Sequence, residues 1–320
     1  MKISDPIYHI ADIKEPVILE VLSSPALIRL KEISQYGLPD EYYHFSGYSR
    51  YEHSLGVMLL LRLLGSTLEE QIAGLLHDVS HLAFSHLADW VFAGGQKGIE
   101  EYQNRIHQVF IFHTDLPQIL AKYNLDIKRV LNEENYPLLE RLLPDLCADR
   151  VDYALREFYH WLKPEIAQPC LSSLTVFNRN IVFKKIDTAY LFSINYMRLQ
   201  TEHWGGYEAM MRYHLFSELL KDAIKKKLIL KKDFYGTERP ILDKLEQSYD
   251  KNINSVLNII KRRRLPFLKA KYGRHILKKF RYVDPLVLVE GSIKRLSLLL
   301  PGYLKIIKKH RQINKKGLFV

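Results

Sequence analysis

The adjacent pair His77-Asp78 is the feature of this sequence that most constrains its fold and chemistry. It lies in the stretch AGLLHDVSHLAFSHLAD, whose apolar residues predict a helix that packs into the protein interior. Burying an aspartate without a partner is very costly. An imidazole nitrogen and a carboxylate oxygen can both bind a metal ion, which would be an effective partner for a buried acid. The pair therefore predicts a metal site, provided that the rest of the chain supplies further ligands.

The composition of the 320-residue chain is that of a globular protein with one large domain or two smaller ones. No apolar run is long enough to span a membrane, and the N-terminus does not resemble a signal peptide. The two cysteines, Cys147 and Cys170, are too few for a disulfide framework. We therefore expect a cytoplasmic protein with two buried thiols and no membrane partner.

Charge is distributed unevenly along the chain. From Lys221 onward there are 27 Lys and Arg residues against 8 Asp and Glu residues, whereas the first 220 residues hold 20 against 28. The basic C-terminal part would suit an anionic partner, such as nucleic acid, a nucleotide effector or an acidic protein surface. A solvated basic surface that promotes solubility explains the same charge, and the sequence leaves both interpretations open.

Most of the chain has the periodicity of helices. Helices are predicted over residues 54–64, 68–76, 84–92, 101–122, 146–161, 187–203 and 207–229.

Three segments depart from the helical pattern. Residues 172–185 contain two short apolar runs on either side of Asn178-Arg179-Asn180, which indicates a β-hairpin. The glycines in residues 94–98 predict a flexible loop. Residues 305–320 form a basic tail, which we expect to be partly disordered.

His53 and Asp149 are the candidates for the remaining ligands, because each lies in or beside a predicted helix. With His77-Asp78 they offer two imidazoles and two carboxylates. This set suits a divalent ion such as Mn, Fe, Mg, Ni or Zn, with positions left open for water and substrate. Such an ion could orient phosphate oxygens and lower the pKa of a bound water, which is the chemistry of metal-assisted hydrolysis.

The segments RYEHSLGV, AGLLHDVSHLAFSH and ADRVDY, in this order, resemble the H…HD…D signature of the HD-domain phosphohydrolase superfamily. The flanking segments ISDPIYHIADI and PALIRLKEISQYGLPDEYYHFSGYSRYEHS are similar to the branch of deoxynucleoside triphosphate triphosphohydrolases. The resemblance implies an all-α fold with an HD-domain helical core and a short β-hairpin insertion, over residues 1–225. A basic, mostly helical C-terminal lobe, residues 226–320, would serve oligomerisation or contact an effector or nucleic acid.

The resemblance also implies roles for individual residues. The metal would be held by His53, His77, Asp78 and Asp149. The substrate phosphates would face Arg50, Arg150, His81 and His86. Arginine presents a planar fork to phosphate oxygens, and a histidine beside a phosphoester can act as a general acid or base.

Further assignments surround this centre. Asp89 would orient a catalytic histidine, and Gln35 and Tyr153 match family positions near the sugar, where the tyrosine disfavours ribonucleotides. His203 and Tyr207 match positions near the nucleotide, although the aromatic residues around them are also typical of a helix interface.

Two positions depart from the family pattern. The family has an aspartate that touches the sugar 3′-OH, and this chain has Glu157 there, so its preference between deoxyribose and ribose is open. The family also has a catalytic histidine where this chain reads EEYQNRIHQVF. His107 is the candidate for that role, and Tyr102 and Gln103 are the alternatives.

Three functions fit these observations. The first is a metal-dependent phosphohydrolase that converts a dNTP into deoxynucleoside and triphosphate, working as a dimer or higher homo-oligomer. The second is an HD-type nuclease or phosphodiesterase that binds nucleic acid through its basic half. The third is a sensor that holds a nucleotide with little turnover.

Overall fold

Helices dominate the structure, as the apolar periodicity predicts. The computed structural model describes residues 1–92, 102–266, 275–277 and 279–319. The predicted loop at residues 94–98 lies outside these ranges. The helices are α1 Pro16–Ser23, α2 Pro25–Ile28, α3 Arg50–Leu63, α4 Leu68–Leu76, α5 Ser85–Phe92, α6 Tyr102–Phe112, α7 Leu116–Lys122, α8 Ile127–Val130, α9 Ala148–Glu157, α10 Pro164–Ser172, α11 Ile186–Arg198, α12 Tyr207–Lys225, α13 Glu238–Glu246, α14 Lys251–Ile260, α15 Leu296–Leu299 and α16 Pro301–Lys315.

Short helical turns of other types join these helices. Two π-helical turns, Phe158–Leu162 and Leu199–Trp204, directly follow α9 and α11. The 3₁₀ turns are Arg29–Glu32, Asp40–Tyr42, Glu133–Asn135 and Lys231–Tyr235.

In the described part of the chain, strands form three small sheets, so the all-α prediction is too coarse. The strands are β1 Lys2–Asp5, β2 His9–Asp12, β3 Leu174–Phe177, β4 Asn180–Phe183, β5 His275–Ile276, β6 Leu286–Val289, β7 Ser292–Arg295 and β8 Leu318–Phe319. The predicted hairpin is confirmed as β3–β4, with antiparallel register from Leu174↔Phe183 to Phe177↔Asn180.

The predicted hairpin is half of a larger sheet. Strand β6 pairs in parallel with β4 at Phe183↔Val287, which gives the strand order β3-β4-β6-β7. Strands β6 and β7 are joined through Glu290 and Gly291, whose φ angles of 50° and 75° suit a tight hairpin turn. This sheet therefore joins the predicted HD region, residues 1–225, to the basic C-terminal region, residues 226–320. The main hydrophobic core also contains residues of both regions. The division of the chain at residue 225 stays a prediction.

Helix α3 is buried on almost every side and positions the first candidate ligand. It begins with a capping box, in which Ser49 accepts from the Glu52 backbone N–H and the Glu52 side chain accepts from the Ser49 N–H. Gly56 faces α9, and a Cβ atom at this position would collide with the side chains of Asp152 and Arg156. The glycine therefore lets α9 approach α3 closely, which brings His53 next to the acidic residues of α9.

The C-terminal tail is more ordered than predicted. Residues 305–315 continue α16, which buries Tyr303 and Ile307 while its lysines remain exposed. The expectation of disorder was wrong here because two apolar anchors one helical turn apart are enough to dock a basic helix.

None of the helices in the described ranges combines the length and hydropathy that a membrane crossing requires. Cys147 and Cys170 are both free and buried.

Glu238, at the start of α13, connects the C-terminal region to two loops that lead into the candidate site. Its Oε1 accepts from the backbone N–H groups of Ser34 (3.0 Å) and Phe84 (3.1 Å). Phe84 and Ser85 have φ angles of 66° and 46°, a left-handed conformation that is strained for residues with a Cβ atom. The buried carboxyl therefore helps to hold a strained backbone in place.

We predict that Glu238→Gln removes a pH dependence of stability. Burial raises the pKa of Glu238 from 4.5 to about 7, so the folded protein binds a proton that the unfolded chain releases. The free energy of unfolding of the wild type should therefore fall, by up to about 3 kcal/mol, as the pH rises from 4.5 to 7. The amide keeps the acceptor oxygen and should flatten this slope. Urea unfolding at several pH values measures it, with exposed Glu134→Gln as control, and equal slopes for all three proteins would contradict the prediction.

Candidate metal centre and substrate cavity

The four predicted ligands come together from three elements. His53 is on the first turn of α3, His77 and Asp78 directly follow α4, and Asp149 is on the first turn of α9. Asp149 Oδ1 lies 2.9 Å from His53 Nε2 and 3.7 Å from His77 Nε2. The carboxylate oxygens of Asp78 lie 3.7 Å and 3.6 Å from the same two nitrogens.

Hydrogen bonds on the far side of each imidazole aim Nε2 at the centre of this group. His53 Nδ1 lies 2.7 Å from Asp152 Oδ2, and His77 Nδ1 lies 2.8 Å from the Gly74 carbonyl oxygen. An acceptor at Nδ1 favours the tautomer in which Nδ1 carries the proton and Nε2 carries the free lone pair. Metal-ligating histidines in proteins are usually fixed in this way.

The donor set fits a divalent cation. Ligand atoms of His53, His77 and Asp149 all lie within 4.8 Å of one another, and the buried Nε2 of His77 has no hydrogen-bond partner. Burial opposes the charged form of His77, but Asp78 and Asp149 outweigh it and raise its pKa to about 10. Burial likewise opposes ionisation of Asp149, yet the two histidines keep its pKa well below its usual value. This surplus of buried negative charge is what a bound metal ion would neutralise.

Asp78 also contacts Arg50 and His81, two candidate phosphate-binding residues. Arg50 Nη1 donates to Asp78 Oδ2, while His81 Nε2 lies 3.1 Å from Asp78 Oδ1. Arg50 is further held by Ser85 Oγ at 3.0 Å. The aspartate that is predicted to bind the metal therefore also orders a pair of candidate phosphate-binding residues.

Sequence reasoning missed Asp152, which lies one helical turn after Asp149. It is fully buried, orients His53, and accepts from Arg156 Nε at 2.9 Å and from the Tyr8 hydroxyl at 2.9 Å. The i, i+3 spacing in ADRVDY was the available signal, because residues at this spacing share a helix face.

We predict that Asp152→Asn weakens metal binding about 10- to 100-fold, the usual effect of removing an outer-shell partner of a ligand. The amide retains the size of the side chain but loses the charge that holds the His53 Nδ1 proton. Calorimetric titration with Mn²⁺ measures the change, and exposed Asp187→Asn serves as the control. Thermal unfolding of the metal-free proteins separates loss of affinity from loss of fold. Wild-type affinity in a folded Asp152→Asn protein would refute the assignment.

A cavity of about 890 Å³ opens beside the metal centre. Such a volume suits a nucleotide-sized ligand. The predicted site residues that line it are Gln35, Arg50, His77, Asp78, His81, His86, Asp89, Asp149, Arg150, Tyr153 and Glu157.

Histidines and arginines form one wall of the cavity. The rings of His81 and His86 are 5.0 Å apart, and His86 Nδ1 lies 3.5 Å from Asp89 Oδ2. Burial lowers the pKa of both histidines, and the positive charge of Arg50 adds to this effect. Both imidazoles are therefore neutral near pH 7, and the Asp89 carboxylate lies beside His86, whose orientation by Asp89 stays a prediction.

Aromatic residues and Glu157 form another part of the wall. The hydroxyl groups of Tyr153 and Tyr196 lie 2.6 Å apart, and the Tyr153 ring meets Trp204 edge-on with centroids 5.5 Å apart. Trp204 Nε1 donates to Glu157 Oε2 at 2.6 Å. Burial raises the pKa of Glu157 well above its usual value, which favours the neutral form of this carboxyl. Arg150 follows Asp149 in the chain. Its Nη1 donates to the Asp145 carbonyl oxygen at 2.7 Å, which holds the guanidinium against the segment before α9.

His107 is placed differently from its predicted catalytic role. Its Nδ1 lies 2.8 Å from Ser80 Oγ, and burial lowers its pKa to about 4. From the same helix, Gln103 and Asn104 line the cavity, and Gln103 Nε2 donates to the His77 carbonyl oxygen at 3.1 Å. Helix α6 thus supports the turn that carries His77 and presents amides, rather than this imidazole, to the cavity.

The two assignments on α12 and the turn before it also change. His203 packs against Phe45 and Trp161, with ring centroids 4.7 and 4.9 Å away, and burial lowers its pKa to about 4. The Tyr207 hydroxyl donates to the Pro266 carbonyl oxygen at 2.8 Å. Neither is among the residues that line the cavity. This arrangement matches the alternative of an aromatic helix interface. The residues of this region that do line the cavity are Gln200, Trp204, Ala209, Met210 and Tyr213.

Several cavity residues carried no recognisable signal in the sequence. Glu133 and Glu140 come from the irregular segment between α8 and α9, and burial raises the pKa of both, that of Glu140 to about 7. Lys279 and Arg281 come from the C-terminal region, more than 120 residues after Asp149. Their positions depend on tertiary packing, which a local pattern does not specify.

Comparisons with known proteins place this centre in a family. The HD domain profile matches residues 50–156, which include all four candidate ligands. Uncharacterized protein YdhJ of Bacillus subtilis is 34% identical over 100% of this chain and 98% of its own length. Metal-dependent phosphohydrolase cns2 of Cordyceps militaris is 36% identical, but the match covers 64% of this chain and 61% of that protein.

Two further comparisons give a partial sequence match and a match of the whole fold. Human deoxynucleoside triphosphate triphosphohydrolase SAMHD1 is 36% identical over 107 residues, which is 28% of this chain and 17% of that protein. The crystal structure of a hypothetical protein from Aquifex aeolicus has the same fold, with a TM-score of 0.68 at 19% identity over 98% of this chain and 99% of the other. The chain therefore belongs to the same family as YdhJ, and its residues 50–156 form an HD domain.

Proposed function

We propose that this protein hydrolyses nucleotides, and most specifically that it is a dNTP triphosphohydrolase releasing deoxynucleoside and triphosphate. One observation carries the proposal: a two-His, two-Asp centre borders a cavity with arginine and histidine on one part of its wall and aromatic residues on another. The first part suits phosphates and the second suits a sugar and base. The partial likeness to SAMHD1 supports the deoxynucleotide class.

The ligand set of His53, His77, Asp78 and Asp149 would hold a divalent ion, with Mn, Fe, Mg, Ni and Zn as candidates. When bound, this ion supplies Lewis acidity and an acidified water. Arg50, already fixed by Ser85, would bind a phosphate oxygen close to it.

One of the two neutral histidines would accept the proton that the attacking water releases. A neutral imidazole can accept a proton, and His86 is the better placed of the two because Asp89 would stabilise the imidazolium. His81 is bonded through Nε2 to Asp78, so its role is to position the phosphate.

Glu157, Trp204 and Tyr153 would form the sugar side of the cavity. Because Trp204 already donates to one oxygen of Glu157, the other oxygen of the neutral carboxyl can donate to or accept from a sugar hydroxyl. Tyr153 lies between this group and His53, with its ring centroid 6.4 Å from that of the histidine. The sugar would then lie next to the reacting phosphate, as cleavage at the 5′-oxygen requires.

We predict that the protein releases triphosphate from at least one dNTP in the presence of Mn²⁺, Fe²⁺ or Mg²⁺. Asp149→Ala should lower kcat/KM by more than about 100-fold, since it removes a metal ligand worth several kcal/mol to the transition state. Lys305→Ala, on the exposed face of α16, is the control and should retain wild-type activity.

The competing functions give different results in this experiment. A wild type that retains nucleotide without turning it over would favour a sensor. Degradation of polynucleotides with no release of triphosphate would favour a nuclease. Activity of Asp149→Ala equal to that of the wild type would remove the centre from the mechanism.

We predict that Glu157→Gln retains kcat/KM for a dNTP within about threefold, whereas Glu157→Ala loses about tenfold, through the lost hydrogen bond to the sugar. Both the neutral carboxyl and the amide can accept from Trp204 and still contact a hydroxyl. Steady-state kinetics with dNTP and NTP pairs measure both effects. A large loss in Glu157→Gln would mean that the carboxylate acts in its ionised form.

A further inference from the structure

The C-terminal region contributes two cations to the cavity that also contains the metal centre. Lys279 and Arg281 line this cavity together with His77 and Asp149. The backbone there is tied to the π-helical turn after α11, because Gln200 Nε2 donates to the Lys279 carbonyl oxygen at 3.1 Å. Gln200 itself lines the cavity, so this contact fixes the segment at the cavity wall.

Arg281 lies close to the histidine wall. Burial lowers the pKa of His86, and the positive charges of Arg50 and Arg281 both add to this effect. Burial also lowers the pKa of Arg281 to about 10, so the guanidinium remains charged at neutral pH. Arg50 and Arg281 therefore give this part of the cavity wall a positive charge, with the neutral imidazoles of His81 and His86 beside them.

Acidic residues border the cavity elsewhere. Glu133 and Glu140 line it and interact electrostatically with Asp149. A substrate with several phosphates would be repelled from these carboxyls and attracted to the part of the wall that carries Arg50 and Arg281. A single phosphate beside the metal centre would need only Arg50 and the histidines.

We propose that Lys279 and Arg281 form a subsite for the distal phosphates of the substrate, so that the C-terminal region selects nucleoside triphosphates over monophosphates. The proposal rests on the proposed function for the identity of the nucleotide, but binding of a polyphosphate can be tested without turnover. Arginine suits this task because its fork can bind two phosphate oxygens at once.

The test is calorimetric titration of the protein with inorganic tripolyphosphate and, separately, with orthophosphate, both in the same excess of Mg²⁺. Arg281→Ala should weaken tripolyphosphate binding about 10- to 100-fold, as expected for loss of hydrogen bonds to a charged group. Orthophosphate affinity should change less than about threefold, because that ion binds at the metal end. Arg281→Lys should give an intermediate loss, and Lys305→Ala none.

The pattern of losses decides the question. An equal loss for the two anions, or no loss for tripolyphosphate, would overturn the subsite. Arg281 is half-buried, so Lys279→Ala, at an exposed residue, provides a second variant for the case in which Arg281→Ala does not fold, and it should show the same selective loss. Selective loss in a protein that hydrolyses no dNTP would uphold the subsite and reject the proposed function. Hydrolysis of dNTPs by a protein whose variants lose affinity equally for both anions would support the proposed function and reject the subsite.

Discussion

The contacts of His53 with two carboxylates are the interaction on which the rest of the site depends. One ring nitrogen contacts Asp149 and the other contacts Asp152, so a single fully buried imidazole joins α3 to two successive turns of α9. Gly56 permits this close approach, because any larger residue would meet Asp152. Without this junction, His53 and Asp149 would not be held together opposite His77 and Asp78, which directly follow α4.

The junction is supported by a buried network that continues to the N-terminus. Arg156 donates to Asp152 at 2.9 Å and to Asp5 at 2.7 Å, and Asp5 belongs to β1. A buried ion pair adds little net stability, but removing one member leaves an uncompensated charge. The network therefore serves mainly to hold Asp152 in one orientation, and Asp152 in turn fixes the tautomer of His53. This is a physical reason for the β1–β2 hairpin to pack against an otherwise helical core.

The sequence predicts the part of the site whose residues lie on or beside apolar helices. His77-Asp78, His53 and Asp149 lie on or beside strongly apolar helices, and α3, α4 and α9 form close to where periodicity places them. The apolar periodicity does not predict the positions of His107 and His203, because a shift of one turn along a helix, or of one residue around it, decides which side chain reaches a cavity. In both cases a neighbour faces the cavity: Gln103 in α6, and Trp204 directly after His203.

The C-terminal region shows a second limit of sequence reasoning. Its net charge indicates an anionic partner, but the net charge does not identify the lysines and arginines that contact this partner. In the structure Lys305, Lys308 and Lys309 are exposed on α16, whereas Lys279 and Arg281 line the cavity. The long-range contacts that place them there are β6 on β4, Gln200 on the Lys279 backbone, and Glu238 on the site loops. The same contacts place the C-terminal region at the cavity wall, so its charge would act on an anionic ligand in the cavity whether or not its outer surface binds any other partner.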